Sequence, residues 1–194
     1  MSFGFYGKLP ARADFVRSGL PRDFTDAWDA WLSEVMSASK ETTGDAWLPA
    51  FLEAPVWRFL LPPGLCGAHA VIGLMLPSVD RAGRYFPLTF AAVLDGAGSR
   101  PGGGAETWLD RCEDAGRAAL EQDLEPDRIT ALLGVPEFGS SGAPVEISEW
   151  WTEGSVRVET TRFTMRSLPD PGVYAGMLGI STGAAVCVTG QGKR

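Results

Sequence analysis

From Asp23 onward, the apolar residues Phe24, Trp28, Trp31, Leu32, Val35 and Met36 recur at i, i+4, i+7, i+8, i+11 and i+12. That spacing covers one face of an amphipathic helix, with Asp23 as its N-cap. Ahead of it, FGFY at residues 3–6 reads as a short strand, and residues 7–21 read as an irregular loop. Gly44 and Asp45 restart the chain into a short helix carrying Trp47, Leu48, Phe51 and Leu52, which Pro55 ends. The period then changes. The runs VWRFLL (56–61) and HAVIGLML (69–76), joined through Pro62, Pro63 and Gly64, read as a hairpin. A third strand at 86–94 follows the turn PSVDRAGRY, so residues 56–94 form an antiparallel meander with a buried centre.

Residues 95–104, DGAGSRPGGG, read as the most flexible loop. Beyond it Trp108, Cys112, Ala115 and Ala119 make a helical stripe, and Pro126 and Gly134 bracket a shorter helix through Ile129, Leu132 and Leu133. Residues 145–151 and 155–163 pair as a hairpin turning at Glu153 and Gly154. A helix at 171–178, a last strand at 184–189 and a frayed polar tail at 190–194 complete the chain. Interleaved helices and strands of this kind predict an α/β or α+β fold. The expectation is one domain over residues 1–189, a layered sandwich whose central, mainly antiparallel sheet is flanked by helices. The pattern does not set the strand order.

Composition narrows the function more than the fold. With 194 residues, 45% of them hydrophobic and 10% aromatic, the chain can bury a core of its own. A net charge of -7 and a pI near 4.8 oppose binding to nucleic acid or to an anionic membrane. The start MSFGFYGKLP lacks the basic and apolar regions of a signal peptide, and no uninterrupted apolar run approaches about 18 residues. A soluble, unexported protein is expected. Cys66, Cys112 and Cys187 are odd in number, far apart and set in apolar surroundings, as buried thiols of a cytoplasmic protein are.

Candidate chemistry is sparse. Gly179, Ser181 and Gly183 form a G-x-S-x-G string, but Ser181 follows a predicted helix instead of a strand, and the only histidine, His69, lies upstream of it. A Gly-rich connection explains the string as well. Cys66 and His69 could make a nucleophile and base, although three residues apart at a strand entry they point to opposite faces. A small hydrolase or phosphate-handling enzyme using Ser181, or Cys66 with His69, is therefore the alternative reading. No zinc or calcium spacing is present, the glycines of 96–104 lack both the dinucleotide pattern and a Walker lysine, and no metal or cofactor is expected.

Two dense segments remain, GKLPARADFV (7–16) and PSVDRAGRYFPLT (77–89). Within residues 1–22, Lys8, Arg12, Arg17 and Arg22 stand against Asp14 alone, a local +3 (four minus one) in an acidic protein. Arg81 and Arg84 flank a glycine in the second segment. If both loops lie at one end of the sheet, they make a basic docking patch for carboxylates or a phosphate. The competing reading is bracing: Asp14 and Asp80 pair with the arginines while Phe15, Tyr85 and Phe86 plug the core. Lys8, Arg12, Asp14, Asp80, Arg81, Arg84 and Tyr85 are the candidate residues under both readings. Trp150 and Trp151, adjacent on a strand, face opposite ways, which makes one of them a candidate interface residue.

On GKLPARADFV, WRFLLPPG and PSVDRAGRYFPLT, with WDAWL, WLPAFLEAPVWRF and EWWTEG between and beyond them, the chain resembles the TagF family, also called ImpM, of bacterial type VI secretion system associated proteins. The likeness runs over nearly the whole chain. One departure is Ala13, where the family usually shows glycine; a positive φ there would strain an alanine. The resemblance implies an α/β sandwich and a cytoplasmic, non-enzymatic accessory protein. It further implies repression of secretion after translation, through binding to the forkhead-associated scaffold protein of the apparatus. Oligomeric state is not implied.

Overall fold

The computed structural model of the protein describes residues 1–95 and 98–180. In chain order the elements are β1 (Ser2–Gly7), β2 (Val16–Ser18), α1 (Arg22–Thr43), a 3-10 turn (Gly44–Ala46), α2 (Trp47–Leu52), β3 (Trp57–Leu61), β4 (Val71–Leu76), β5 (Leu88–Val93) and β6 (Ser99–Pro101). There follow α3 (Ala105–Glu121), α4 (Pro126–Leu133), β7 (Ser140–Pro144), β8 (Ser148–Thr152), β9 (Thr161–Met165) and α5 (Pro171–Met177). Seven strands form one sheet in the order β2-β1-β5-β4-β3-β8-β9, with every neighbouring pair antiparallel. The expected layered α/β sandwich is the observed fold.

Alternation along the central strands sorts the core into two faces. Trp57, Phe59, Leu61, Val71, Met75, Ala91 and Val93 point to the face covered by α1, α2 and α5. Leu60, Ile72, Leu74, Leu88, Phe90 and Ala92 point to the face covered by α3 and α4. With helices on both sides, every residue of β4 and β5 is buried. That is why these strands read as continuous apolar runs without a polar face, although their pairing is antiparallel.

The first core is built of indoles. Trp28 sits at its centre, with ring centroids 4.6 Å from Phe59 and 4.7 Å from Trp31, and its indole N–H donates to Thr89 Oγ1 at 2.9 Å. Trp31 donates to the Pro169 carbonyl at 2.7 Å and Trp57 to the Met177 carbonyl at 2.9 Å, tying α1 and β3 to the segment around α5. These bonds let large polar-edged rings occupy a dry core. Both adjacent tryptophans are buried, one on each face. Trp150 is fully enclosed, while Trp151 lies under the Arg162 guanidinium at 5.0 Å, so neither is the exposed interface residue expected.

Several local expectations are corrected. Helix α1 begins at Arg22 with Pro21 in the capping position, so Asp23 lies inside the first turn, where its carboxylate favours the helix dipole. The loop expected at 95–104 contains β6, which pairs with β7 in a two-stranded ribbon, and Gly102 N–H donates to the Gly139 carbonyl at 2.6 Å. Neither strand carries a sequence signal, because Gly and Pro mask such short pairings. The β8–β9 hairpin does not turn at Glu153 and Gly154. Trp150 pairs with Phe163 and Thr152 with Thr161, leaving 153–160 as the connecting loop. The strand expected at 184–189, the tail at 190–194, Ser181 and Cys187 lie outside the described residues.

Candidate functional site

The two dense segments meet at one end of the sheet. The first leaves β1 at Gly7 and returns as β2; the second connects β4 to β5, and β5 lies beside β1. Asp80 joins them. Its side chain is fully buried and each oxygen accepts twice: Oδ1 from the backbone N–H of Ala82 and of Arg84, both at 2.9 Å, and Oδ2 from Lys8 Nζ at 2.5 Å and Arg84 Nε at 2.7 Å. Burial alone would raise this carboxyl. The hydrogen bonds from Lys8 and from the backbone and side chain of Arg84 outweigh burial and hold it well below the usual carboxylate range.

Lys8 is itself buried, with Nζ 4.5 Å from the centre of the Phe15 ring. Backbone bonds complete the clamp. Ser78 Oγ donates to the Lys8 carbonyl at 2.6 Å, Arg81 N–H donates to the Arg12 carbonyl at 2.9 Å, and Arg84 Nη2 donates to the Ala13 carbonyl. Ala13 does not take a positive φ, so alanine is unstrained at the position where the resemblance expects glycine. Gly83 does take one, at φ 79, where the Asp80–Arg84 turn reverses the chain.

The candidate residues therefore divide. Lys8, Asp80 and Arg84 brace the two loops. Arg12 pairs with Glu125 at 2.7 Å, both groups more than half exposed. Asp14 does not pair with an arginine: its Oδ1 accepts from the neighbouring Phe15 N–H at 2.8 Å. Tyr85 is half-buried against Phe51, and Phe86 is buried, but Phe15 is 42% exposed, so it does not plug the core as the bracing reading expects. Phe15 stacks on Tyr6 with ring centroids 5.6 Å apart and meets the edge of Phe86 at 4.8 Å. Arg81 is exposed, and among the described residues its guanidinium makes no hydrogen bond or ion pair.

Charge at this surface is mixed. Lys8, Arg12, Arg81 and Arg84 face Asp14, Asp80 and Glu125, four cations against three carboxylates, so the expected basic patch is largely neutralised within the loops and by Glu125. On the other side of Phe15 a hollow of about 470 Å³ carries Tyr6, Arg17, Asp26 and Asp29. There the Tyr6 hydroxyl donates to Asp29 Oδ1 at 2.5 Å. Burial and the carboxylate of Asp29 push that phenol above its ordinary value.

The enzyme alternative finds no activated nucleophile in the described residues it names. Cys66 is buried, burial pushes its thiol up to about 12, and His69 is exposed on the surface with no bond to it. Burial likewise pushes the Cys112 thiol up, further than the nearby Arg111 and Arg58 pull it down. At pH 8 the folded protein is expected to leave both thiols unmodified by a thiol-reactive dye, whereas the denatured chain reacts at both. Stoichiometric labelling of folded Cys66, read by peptide mass spectrometry, contradicts this placement. The Cys66 contribution to stability is present below the unfolded pKa, about 8.5, and is lost as pH rises toward the folded value. Among the described residues, no group of three His, Cys, Asp or Glu side chains is placed to hold a metal ion.

One cluster was missed in the sequence. Arg58 leaves β3 on the α3 side and reaches Glu106 at 3.0 Å, Asp110 at 2.7 Å and Glu113 at 3.1 Å. Burial opposes its charge, but the carboxylates prevail and raise its pKa. Spacing of the three acids at i, i+4 and i+7 was the available signal. Their partner was not, since it lies on a strand some fifty residues earlier.

Residues 4–134 match the model of the TagF N-terminal domain, described as type VI secretion system-associated. The crystal structure of PA0076 from Pseudomonas aeruginosa PAO1 is similar over 100% of both chains, at 33% sequence identity and a TM-score of 0.83. Comparison with curated proteins gives no match. The match of residues 4–134 to that domain model places the chain in the TagF family of type VI secretion system-associated proteins.

Proposed function

We propose that this accessory protein is a non-enzymatic, cytoplasmic repressor of type VI secretion that acts after translation by binding the forkhead-associated scaffold protein of the apparatus. The supporting observation is the clamp: a buried Lys8–Asp80 pair locks two loops, distant in sequence, into one surface that presents Phe15 and Arg81 outward. Buried charge is an expensive way to hold a loop that has no task. An exposed aromatic beside an arginine is the composition of an interface anchor, and the mixed charges around them suit a protein partner better than a bare phosphate. No helix among the described residues is long and apolar enough to cross a membrane.

Arg81 and Phe15 supply the test, because neither anchors the clamp through its charge. Arg84 is unsuitable, since replacing it also strips a donor from Asp80. Purified protein is expected to co-elute with the scaffold encoded beside it. The double variant Phe15→Ser with Arg81→Glu is expected to weaken that complex at least about tenfold, the scale of two interface anchors. The variant is expected to stay folded by circular dichroism, with a lower unfolding midpoint from the lost contacts of Phe15 with Lys8, Tyr6 and Phe86. Undiminished binding by a folded double variant removes this surface from the interface, and no binding by the parent protein removes the scaffold as partner.

A further inference from the structure

Strand β9 ends the seven-stranded sheet, and among the described residues no strand pairs with its outer edge. An unpaired edge beside apolar side chains invites another chain to add there, which is why proteins cover such edges. Next to β9, between α5 and the loop 153–160, lies a hollow of about 530 Å³. Its floor is the Trp57 and Phe163 pair, with ring centres 5.6 Å apart, and Met177 closes the α5 side. Val158 and Val173 also line it and are only partly buried, although both pack against the first core. The described residues thus leave the first core open at the sheet edge.

The chain itself runs to the lip of this hollow. After α5, Gly179 packs so closely on Arg157 that an added Cβ would meet the Arg157 Cβ at 2.7 Å, and Arg157 lines the hollow. Ile180 follows, its N–H donating to the Ala175 carbonyl at 3.0 Å and its side chain packed on the first core. Residues 181–194, STGAAVCVTGQGKR, lie outside the described residues. Their apolar run AAVCV, 184–188, begins four residues past Ile180, within about 14 Å along an extended chain. We propose that residues 184–188 pack into this hollow and cover the edge of β9, an intramolecular partner for the open core. Apolar side chains match its walls. Beyond them, Lys193 and Arg194 complement Glu153 and Glu159, exposed carboxylates of the loop that make no ion pair among the described residues. Tethering holds the segment at the hollow at an effective concentration that a diffusing partner does not reach.

Nuclear Overhauser contacts in the full chain, labelled at its valine methyl groups, provide the direct readout. Contacts from Val186 or Val188 to Val158 or Val173 are expected, with intensities that do not depend on protein concentration. Cys187 gives a second reading, because Cys66 and Cys112 are buried. Its reaction with a thiol-reactive dye is expected to be at least about tenfold slower in the folded parent than in the double variant Val186→Asp with Val188→Asp, whose charges oppose entry into an apolar hollow. That variant is expected to remain folded by circular dichroism, and the contacts measured in the parent do not depend on it. Three results overturn the proposal: no contact between the two pairs of valines, equally fast labelling of Cys187 in parent and variant, or contacts that appear only as concentration rises, which assigns the hollow to a second copy of the chain.

Discussion

Replacing Asp80 by alanine is expected to destabilise the protein by about 3–5 kcal/mol, measured by urea unfolding, because it removes one partner of a buried ion pair and leaves the other charged. Lys8 then has no acceptor among the described residues; the face of Phe15 is its only favourable neighbour for the charge. Two backbone N–H groups and the Arg84 side chain lose their acceptor in the same step. Lys8→Met is expected to be milder, about 1–3 kcal/mol, since Asp80 keeps three of its four donors. Adding Lys8→Met to Asp80→Ala should restore part of the loss by removing the orphan charge. A loss below about 1 kcal/mol for Asp80→Ala would show that the pair does not hold the loops.

The sign with pH follows from the depressed Asp80 carboxyl. Its contribution is complete above the ordinary carboxylate value, about 4, and is lost as pH falls through the folded value below it. Asp80→Ala should therefore flatten the acid limb of the stability curve below about pH 4.

Much of this was legible beforehand because it rests on local periodicity. The stripe from Phe24 to Met36 is the buried face of α1, and the apolar runs at 71–76 and 88–93 are the two strands buried on both faces. What escaped is the product of distant pairing. That β8 closes against β3, and β1 against β5, is set by which faces the helices cover, and no short window records it. At the candidate site the structure brings the two segments together, and charge alone could not assign the roles of their residues. Asp14 and Asp80 are equivalent in composition, yet only Asp80 sits where a turn aims two backbone N–H groups into its oxygens. The bracing reading puts Phe15 in the core because aromatics beside turn residues usually are; stacking on Tyr6 leaves it 42% exposed instead.

Gly7→Ala is expected to be among the most damaging single-methyl changes at the described glycines, destabilising the protein by more than about 4 kcal/mol or preventing folding. Two penalties coincide there. Gly7 has φ 140, which side-chain-bearing residues rarely adopt, and a Cβ would run into the Pro87 carbonyl oxygen and approach Leu88 Cα to 2.9 Å. Neither obstacle is a flexible side-chain end; both are backbone of the second segment where it enters β5. The close approach is thus what lets β1 deliver Lys8 into reach of Asp80. Gly83→Ala is the control, because its φ of 79 is also unfavourable but no atom lies within 4 Å of the added carbon. That change should cost only about 1–2 kcal/mol, the conformational term alone. Comparable losses for the two variants in the same unfolding assay would mean that backbone conformation dominates. A much larger loss at Gly7 identifies the contact between the two segments as the point on which the site, and the sheet edge beside it, depend.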